Sequence, residues 1–266
     1  MSAIHHVRAG SLQVQVFETE QAMAVAAARH TAEVMRRAVA ERGSGRMIVA
    51  TGNSQIAFVT ALAAEPVPWD RITVFHMDEY LGIDADHPAS FQRWIRERVA
   101  ERMRPAAVEY INGRAAAADA ECDRYEALLR AAPIDLTCMG IGENGHLAFN
   151  EPGAADFDDP RWVRQVKLTP ESIAQQVGEG HFAGPESVPH TAISLSIPAL
   201  LASRTVQVVT PDARKATAVR NTLVQEISPE FPSTILRTRA NALLLLDQAA
   251  AGASGDLFGE LAANAS

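Results

Sequence analysis

Cysteine is nearly absent from this chain, and the little there is forms no pair. Cys122 falls in an apparent helix and Cys138 in an apparent strand, with no Cys-x-x-Cys motif. That pattern argues against a disulfide framework and a cysteine zinc site, and a reducing cytoplasm is the expected compartment. Basic charge is also short: 24 Lys and Arg face 32 Asp and Glu, giving a formal charge of -8 and a pI near 5.5. A general nucleic-acid surface needs clustered Lys and Arg, so no nucleic-acid partner is expected. Small anions stay open as ligands, because local backbone dipoles hold them whatever the net charge. No uninterrupted apolar run reaches membrane-spanning length, and the first ten residues lack a signal peptide's basic segment and apolar core. No membrane partner is expected. A Walker Gly-Lys-Ser/Thr is missing too, as are internal repeats and an interior linker. With 266 residues, 47% hydrophobic, one domain spanning 1–266 is expected.

What is present alternates between two periodicities. Residues 12–17 alternate as a strand, and 18–42 read as a long Ala-rich helix stopped by Gly43-Ser44-Gly45. Its expected inner side carries Val25, Ala28, Ala32, Met35 and Val39. Short buried strands are expected at 47–50, 71–76, 134–139, 191–195, 205–209 and 242–247. Helices are expected at 56–64, 87–103, 115–131 and 211–224, with Ala120, Tyr125 and Leu128–Leu129 facing inward in the third. Strands alternating with helices predict an α/β fold: an open, mainly parallel, doubly wound Rossmann-like sheet with helices on both faces. Residues 154–189 carry weaker signals and a glycine-rich end, which suggests a lid beside a site.

Three stretches stand out chemically. Residues 140–153 follow a buried strand with three closely spaced glycines, then present Glu143, Asn144, His146 and Glu151. Loops at the C-terminal ends of strands are where open α/β sheets place ligands, although a glycine-rich turn with incidental polar residues has the same spacing. Thr51-Gly52-Asn53-Ser54-Gln55 joins a strand to a helix, an arrangement whose free N–H groups can hold a phosphate; a plain tight turn is the alternative. Asp78-Glu79 ends another strand between Met77 and Tyr80-Leu81, where a partly buried carboxylate can move protons and a solvated turn would look the same.

Thr51-Gly52-Asn53-Ser54, Met77-Asp78-Glu79-Tyr80, His87-Pro88-Ala89-Ser90, Gly145-His146-Leu147-Ala148-Phe149-Asn150-Glu151-Pro152 and Lys215 together resemble the glucosamine-6-phosphate deaminase (isomerase) family, related to the 6-phosphogluconolactonases. The match keeps its order over nearly the whole chain. Residues 227–233 are similar to the shorter, Gram-positive type. The resemblance implies a hydrolytic deamination with isomerisation, glucosamine 6-phosphate and water to fructose 6-phosphate and ammonia, in amino sugar and N-acetylglucosamine catabolism, with no metal and no organic cofactor. It implies Asp78 as the base moving a proton between C2 and C1, His146 as the ring-opening residue, and Glu151 as the carboxylate that orients it. Asn144 takes a positioning role, because the family's Asp alternative is absent. The phosphosugar would rest on Thr51, Gly52, Asn53, Ser54 and Gly145, with Lys215 as a point charge.

The departures concern the phosphate. Gln55 replaces the family's usual Pro, and His181-Phe182 stands where a lid Arg pairs with the phosphate. Of the basic pair that binds the effector in allosterically activated hexameric members, Arg164 matches one and Val166 the other, so no such activation is expected. A homo-oligomer and a monomer are both open. Two alternative functions remain: a related phosphosugar enzyme, acting on a different amino sugar phosphate or as a 6-phosphogluconolactonase, and a non-catalytic sugar-phosphate sensor. The Asn-Glu after Phe149 speaks against the lactonase. The residues before Leu12 are expected to be too few for a sensor's DNA-binding region.

Overall fold

The structure is a computed structural model that describes residues 3–180 and 182–263. Its first strands are β1 (His5–Ala9), β2 (Leu12–Phe17), β3 (Gly45–Val49), β4 (Ile72–His76), β5 (Asp78–Tyr80) and β6 (Ala107–Glu109). There follow β7 (Leu136–Met139), β8 (Val163–Lys167), β9 (Thr191–Leu195), β10 (Thr205–Thr210) and β11 (Ala242–Asp247). The helices are α1 (Glu20–Arg42), α2 (Ile56–Leu62) and α3 (Phe91–Ile95), which passes through a π turn, Arg96–Ala100, into α4 (Glu101–Met103). After them come α5 (Ala118–Arg130), α6 (Pro170–Gly178), α7 (Ile197–Leu201), α8 (Ala216–Val224) and α9 (Gly255–Ala263).

Eight strands make the main sheet in the order β1-β2-β11-β10-β7-β3-β4-β6. All neighbours are parallel except the edge pair β1–β2. The strands at its centre are apolar without alternation because both faces are covered: every residue of β11, Ala-Leu-Leu-Leu-Leu-Asp, is buried. Met47 and Val49 pack toward α1 and α2, whereas Ile48 and Ala50 face the layer of α5, α7 and α8. The doubly wound expectation therefore holds. On α1 the stripe is turned slightly: Ala27, Thr31 and Ala38 are buried, and Val25 and Val39 only half-buried. Ala120 is exposed, because Glu121, Cys122, Tyr125 and Leu129 form the inner side of α5.

A second, antiparallel sheet, β5-β9-β8, is an addition to the expected single sheet. The chain leaves the first sheet at His76 and enters the second at Asp78, with Leu195 N–H donating to the Met77 carbonyl at 2.8 Å. Asp78 thus sits where two sheets meet. Within the weakly signalled region 154–189, β8 and α6 fall where residues 162–168 read as a possible strand and Thr169-Pro170-Glu171 as the start of a short helix. Helix α6 is started by Thr169, whose hydroxyl accepts from Ser172 N–H, and by Pro170 at its first position.

Candidate active site

Strands β7 and β3 are neighbours, but the chain proceeds from β3 toward β4 and from β7 toward β10 on the opposite side. That is the switch point at which open α/β sheets leave a crevice beyond the carboxyl ends of their strands. A cavity of about 90 Å³ lies there. Its walls come from the loops after β3 (Thr51, Gly52, Ser54), β7 (Gly142, His146) and β10 (Lys215) and from Asp78 at the start of β5, and it is closed by Gln175 and Gln176 of α6 and by Glu179 just after that helix.

The two adjacent carboxylates after β4 have separate environments. Glu79 is 1% exposed and accepts four hydrogen bonds: Tyr80 N–H at 2.9 Å, Ser90 Oγ at 2.8 Å, Phe91 N–H at 3.2 Å and Gln92 N–H at 2.8 Å. Burial raises its pKa, and the four donors oppose that rise. Glu79 therefore fastens β5 to the start of α3. Asp78 is 7% exposed and lines the cavity. Burial, then the neighbouring Glu79 carboxylate, pushes its pKa up to about 8. Beneath it, His76 is fully buried. Its Nε2 accepts from Ile111 N–H at 2.9 Å, so the neutral ring carries its proton on Nδ1, and burial lowers its pKa to about 4. Tyr125 Oη fixes the same strand end, accepting from His76 N–H and donating to the His76 carbonyl.

The loop after β7 builds a second constellation. The His146 ring lies against Gly142, where a Cβ would come within 2.3 Å of the imidazole, so only glycine leaves the ring its place. His146 Nδ1 is 3.4 Å from Glu151 Oε1, a charge contact longer than a formed hydrogen bond. Glu151, 2% exposed, also accepts from Asn144 Nδ2 at 2.8 Å and from the Ser172 hydroxyl on α6. Burial pushes the Glu151 carboxyl up, but His146, Ser172 and Asn144 outweigh it and hold it near 2. Asn144 accepts from His146 N–H at 3.1 Å with its other end, bridging the histidine backbone to the carboxylate. Ala148 adopts φ 50° in the turn that follows, a conformation costing about 1 kcal/mol. Asn150 holds that turn, donating from Nδ2 to the Leu147 and Leu195 carbonyls at 2.7 and 2.8 Å.

At the third corner Gly52 takes φ 97°, and the N–H groups of Gly52, Asn53 and Ser54 find no acceptor among the described residues. Lys215, one of two lysines in the chain, is 6% exposed and lines the same cavity. Burial lowers its pKa; the Glu143 and Glu179 carboxylates oppose that. Asp212 precedes it at φ 85°, its N–H donating to the Asp247 carboxylate at 3.2 Å and its own carboxylate accepting from Arg214 N–H at 2.9 Å.

The cavity thus brings together Thr51, Gly52, Ser54, Asp78, His146 and Lys215, with Glu151 and Asn144 directly behind His146. Two expected contacts lie off its wall. Asn53 is exposed and donates from Nδ2 to the Glu179 carbonyl at 3.3 Å. Gly145 serves the turn itself, at φ 92°, with its N–H bonded to the Gly142 carbonyl and its carbonyl to Ser233 N–H. His181 lies outside the described residues. The sequence suggests a lid over 154–189, but sequence reading names no residue of α6 among the lining groups. A signal was present: Ser172 and Gln176, four residues apart, are buried polar positions where an ordinary helix would turn apolar ones inward.

Comparison with known proteins agrees with this geometry. The family described as glucosamine-6-phosphate isomerases/6-phosphogluconolactonase matches residues 18–245. A glucosamine-6-phosphate deaminase of Bacillus cereus (strain G9842) is 34% identical over 203 residues, 76% of this chain and 75% of that protein. One from Streptococcus suis (strain 05ZYH33) is 33% identical over 204 residues, covering 76% and 85%. Among solved structures, a monomeric glucosamine-6-phosphate deaminase superposes with a TM-score of 0.83 at 29% identity, covering 90% of this chain and 99% of its own. A 6-phosphogluconolactonase from Shewanella baltica OS155 reaches 0.73 at 21% identity, covering 88% and 97%, a likeness of fold. With the main sheet from β3 into β11 and every loop of the cavity inside the matched span, this chain belongs to the glucosamine-6-phosphate isomerase/6-phosphogluconolactonase family.

Proposed function

We propose that the protein converts glucosamine 6-phosphate and water to fructose 6-phosphate and ammonia, a step of amino-sugar catabolism. The observation that carries this reading is the pair of carboxyl groups at one cavity, Asp78 pushed up to about 8 and Glu151 held near 2. Environments that drive two such groups apart set up separate proton-transfer roles. Glu151, held ionised, orients His146, and the imidazole can pass a proton between the anomeric and ring oxygens as the pyranose opens. Asp78 then takes the proton from C2 and returns one to C1. Water adds to the resulting C2 imine, and ammonia leaves as the ketone forms. A protonated C2 amine beside Asp78 would draw its pKa down and supply the base in ionised form, which suits an amino sugar better than an uncharged lactone ring. Asn144 keeps His146 and Glu151 in register. The phosphate would accept from the Gly52–Ser54 N–H groups and pair with Lys215. Both cysteines are free and buried, with burial pushing the thiols up to about 11 and about 12, which suits a reducing cytoplasm.

The test is ammonia release and fructose 6-phosphate formation from glucosamine 6-phosphate by the native protein and by Asp78→Asn. Activity is expected in the first and a loss of at least about a hundredfold in the second, the range of a general base. No turnover in the native protein, with 6-phosphogluconolactone hydrolysed instead, would replace this reading by the lactonase.

A further inference from the structure

Helix α6 lies across the site and is tied to it at two points. Near its start the Ser172 hydroxyl donates to Glu151, the carboxylate behind His146. Directly after its end the Glu179 backbone carbonyl accepts from Asn53 Nδ2 of the Gly52 turn at 3.3 Å. The helix therefore runs from the histidine constellation to the anion cradle, and Gln176 sits between the two ties. It stands one turn, about 6 Å, beyond Ser172 on the same helix face and lines the cavity with Asp78, His146 and Lys215.

Gln176 is 7% exposed, its Oε1 is buried without a donor, and neither end of its amide makes a hydrogen bond among the described residues. Its neighbour Gln175 is spent on the protein: Nε2 donates to the Glu179 carboxylate at 2.9 Å, and Oε1 accepts from Glu143 N–H at 3.4 Å. A buried amide without a partner is costly in a folded protein, and this one stands at the wall of a cavity that a ligand can fill.

We propose that Gln176 is a specificity-determining residue whose side-chain amide takes a hydroxyl from the middle of the sugar, at C3 or C4. This rests on the phosphosugar reading given above. On that reading the phosphate on C6 occupies the cradle, and C1, C2 and the ring oxygen face His146 and Asp78. The hydroxyls left for the span between them are those on C3 and C4. A hydroxyl can donate to Oε1 or accept from Nε2, so it satisfies the amide whichever way round the amide stands. A site that hydrogen-bonds a hydroxyl rejects an analogue lacking it far more strongly than an apolar pocket rejects a change of size, because the buried amide is left unpaired.

The test is a cycle of proteins and substrates on the full chain: native, Gln176→Leu and Gln176→Met, each with glucosamine 6-phosphate and its 3-deoxy and 4-deoxy analogues. The native protein is expected to lose about tenfold to a hundredfold in kcat/KM on one of the two analogues. Both variants should lose a similar factor on the parent compound and treat that analogue and the parent alike, within about twofold. Leu is branched and Met is not, so agreement between them assigns the effect to the missing amide rather than to packing. A native protein indifferent to both deoxy analogues would overturn the proposal. So would variants that discriminate as strongly as the native protein, since the hydroxyl is then held elsewhere. A variant too slow to assay is read through the Kd values of the same compounds by calorimetry, to which the same outcomes apply. If the native protein binds the three compounds without turning them over, the proposed reaction falls, and those Kd values still decide whether Gln176 holds a hydroxyl.

Discussion

Asp78 and Glu151 differ by one methylene, and their surroundings give them opposite responses to pH. Burial, beside the Glu79 carboxylate, raises the Asp78 pKa to about 8, against 3.8 ordinarily. Glu151 is also buried yet stays near 2, because His146, Ser172 and Asn144 converge on it. If Asp78 is the base, kcat/KM, which reports the free enzyme, should climb as pH rises through about 8, while Glu151 contributes no acid limb above about pH 3. A profile already flat by pH 6 would remove Asp78 from that role. The same numbers speak about stability. The native state holds the Asp78 proton more tightly than the unfolded chain does, so this group is without cost below about pH 4 and costs stability progressively up to about pH 8. Asp78→Asn should therefore raise Tm at pH 8, at roughly 2–4 °C per kcal/mol recovered, and change it little at pH 4. Glu151→Gln has the opposite sign: its folded pKa is depressed, so the stabilisation it forfeits is present above about pH 4.5 and disappears only as pH falls toward 2. Differential scanning calorimetry of both variants across pH 2–8 checks the pair, and equal shifts at all pH values would dissociate them from ionisation.

Between residue and fold, the short strand β5 carries most of what the sequence concealed. Asp78-Glu79-Tyr80 has three residues, two of them acidic, and reads as a turn because a strand's apolar signature needs more length. Only pairing with β9, more than a hundred residues later, makes it a strand, and that partnership is invisible locally. The long parallel strands, by contrast, were legible from their unbroken apolar runs, and so was the glycine loop after β7. The histidine, its carboxylate and the Gly52 turn are legible through motif resemblance; that Gly145 serves a turn while Gly142 makes room for the His146 ring emerged only in the fold. So did the division of labour between Asp78 and Glu79. Four hydrogen bonds to Glu79, three of them from Ser90, Phe91 and Gln92 at the entrance to α3, make it the joint between β5 and that helix. Glu79→Ala leaves buried N–H donors unpaired, and a loss on the order of 3 kcal/mol is expected. Urea unfolding should show the midpoint falling without a change of slope. A loss below about 0.5 kcal/mol would mean that water replaces the carboxylate and that Glu79 is not the joint described.

At the scale of the whole molecule, the question is whether the site answers to a second ligand. In the resemblance noted above, activated hexameric members hold an effector sugar phosphate with a basic pair placed after the Glu-Pro of the histidine loop. Here Val166 occupies one place on β8, and Arg164 is already engaged, its Nη2 donating to Asn150 Oδ1 at 3.2 Å and its Nε 3.3 Å from Asp159 Oδ2. Asn150 is the residue that ties the histidine turn to the second sheet, so Arg164 braces the site from behind. A guanidinium committed to a buried amide and a carboxylate offers an incoming phosphate less than a free one, and without a second cation there is no bidentate grip to make up the difference. Coupling of sites requires an effector with different affinities for two states, and here one member of the basic pair is replaced and the other engaged. Glucosamine 6-phosphate saturation is therefore expected to be hyperbolic and unchanged by N-acetylglucosamine 6-phosphate at concentrations up to about a millimolar, a weak-binding ceiling of about 4 kcal/mol. A sigmoidal curve made hyperbolic by that compound, or a rise in activity on adding it, would show that an effector site exists and that Arg164 can leave Asn150 to serve it.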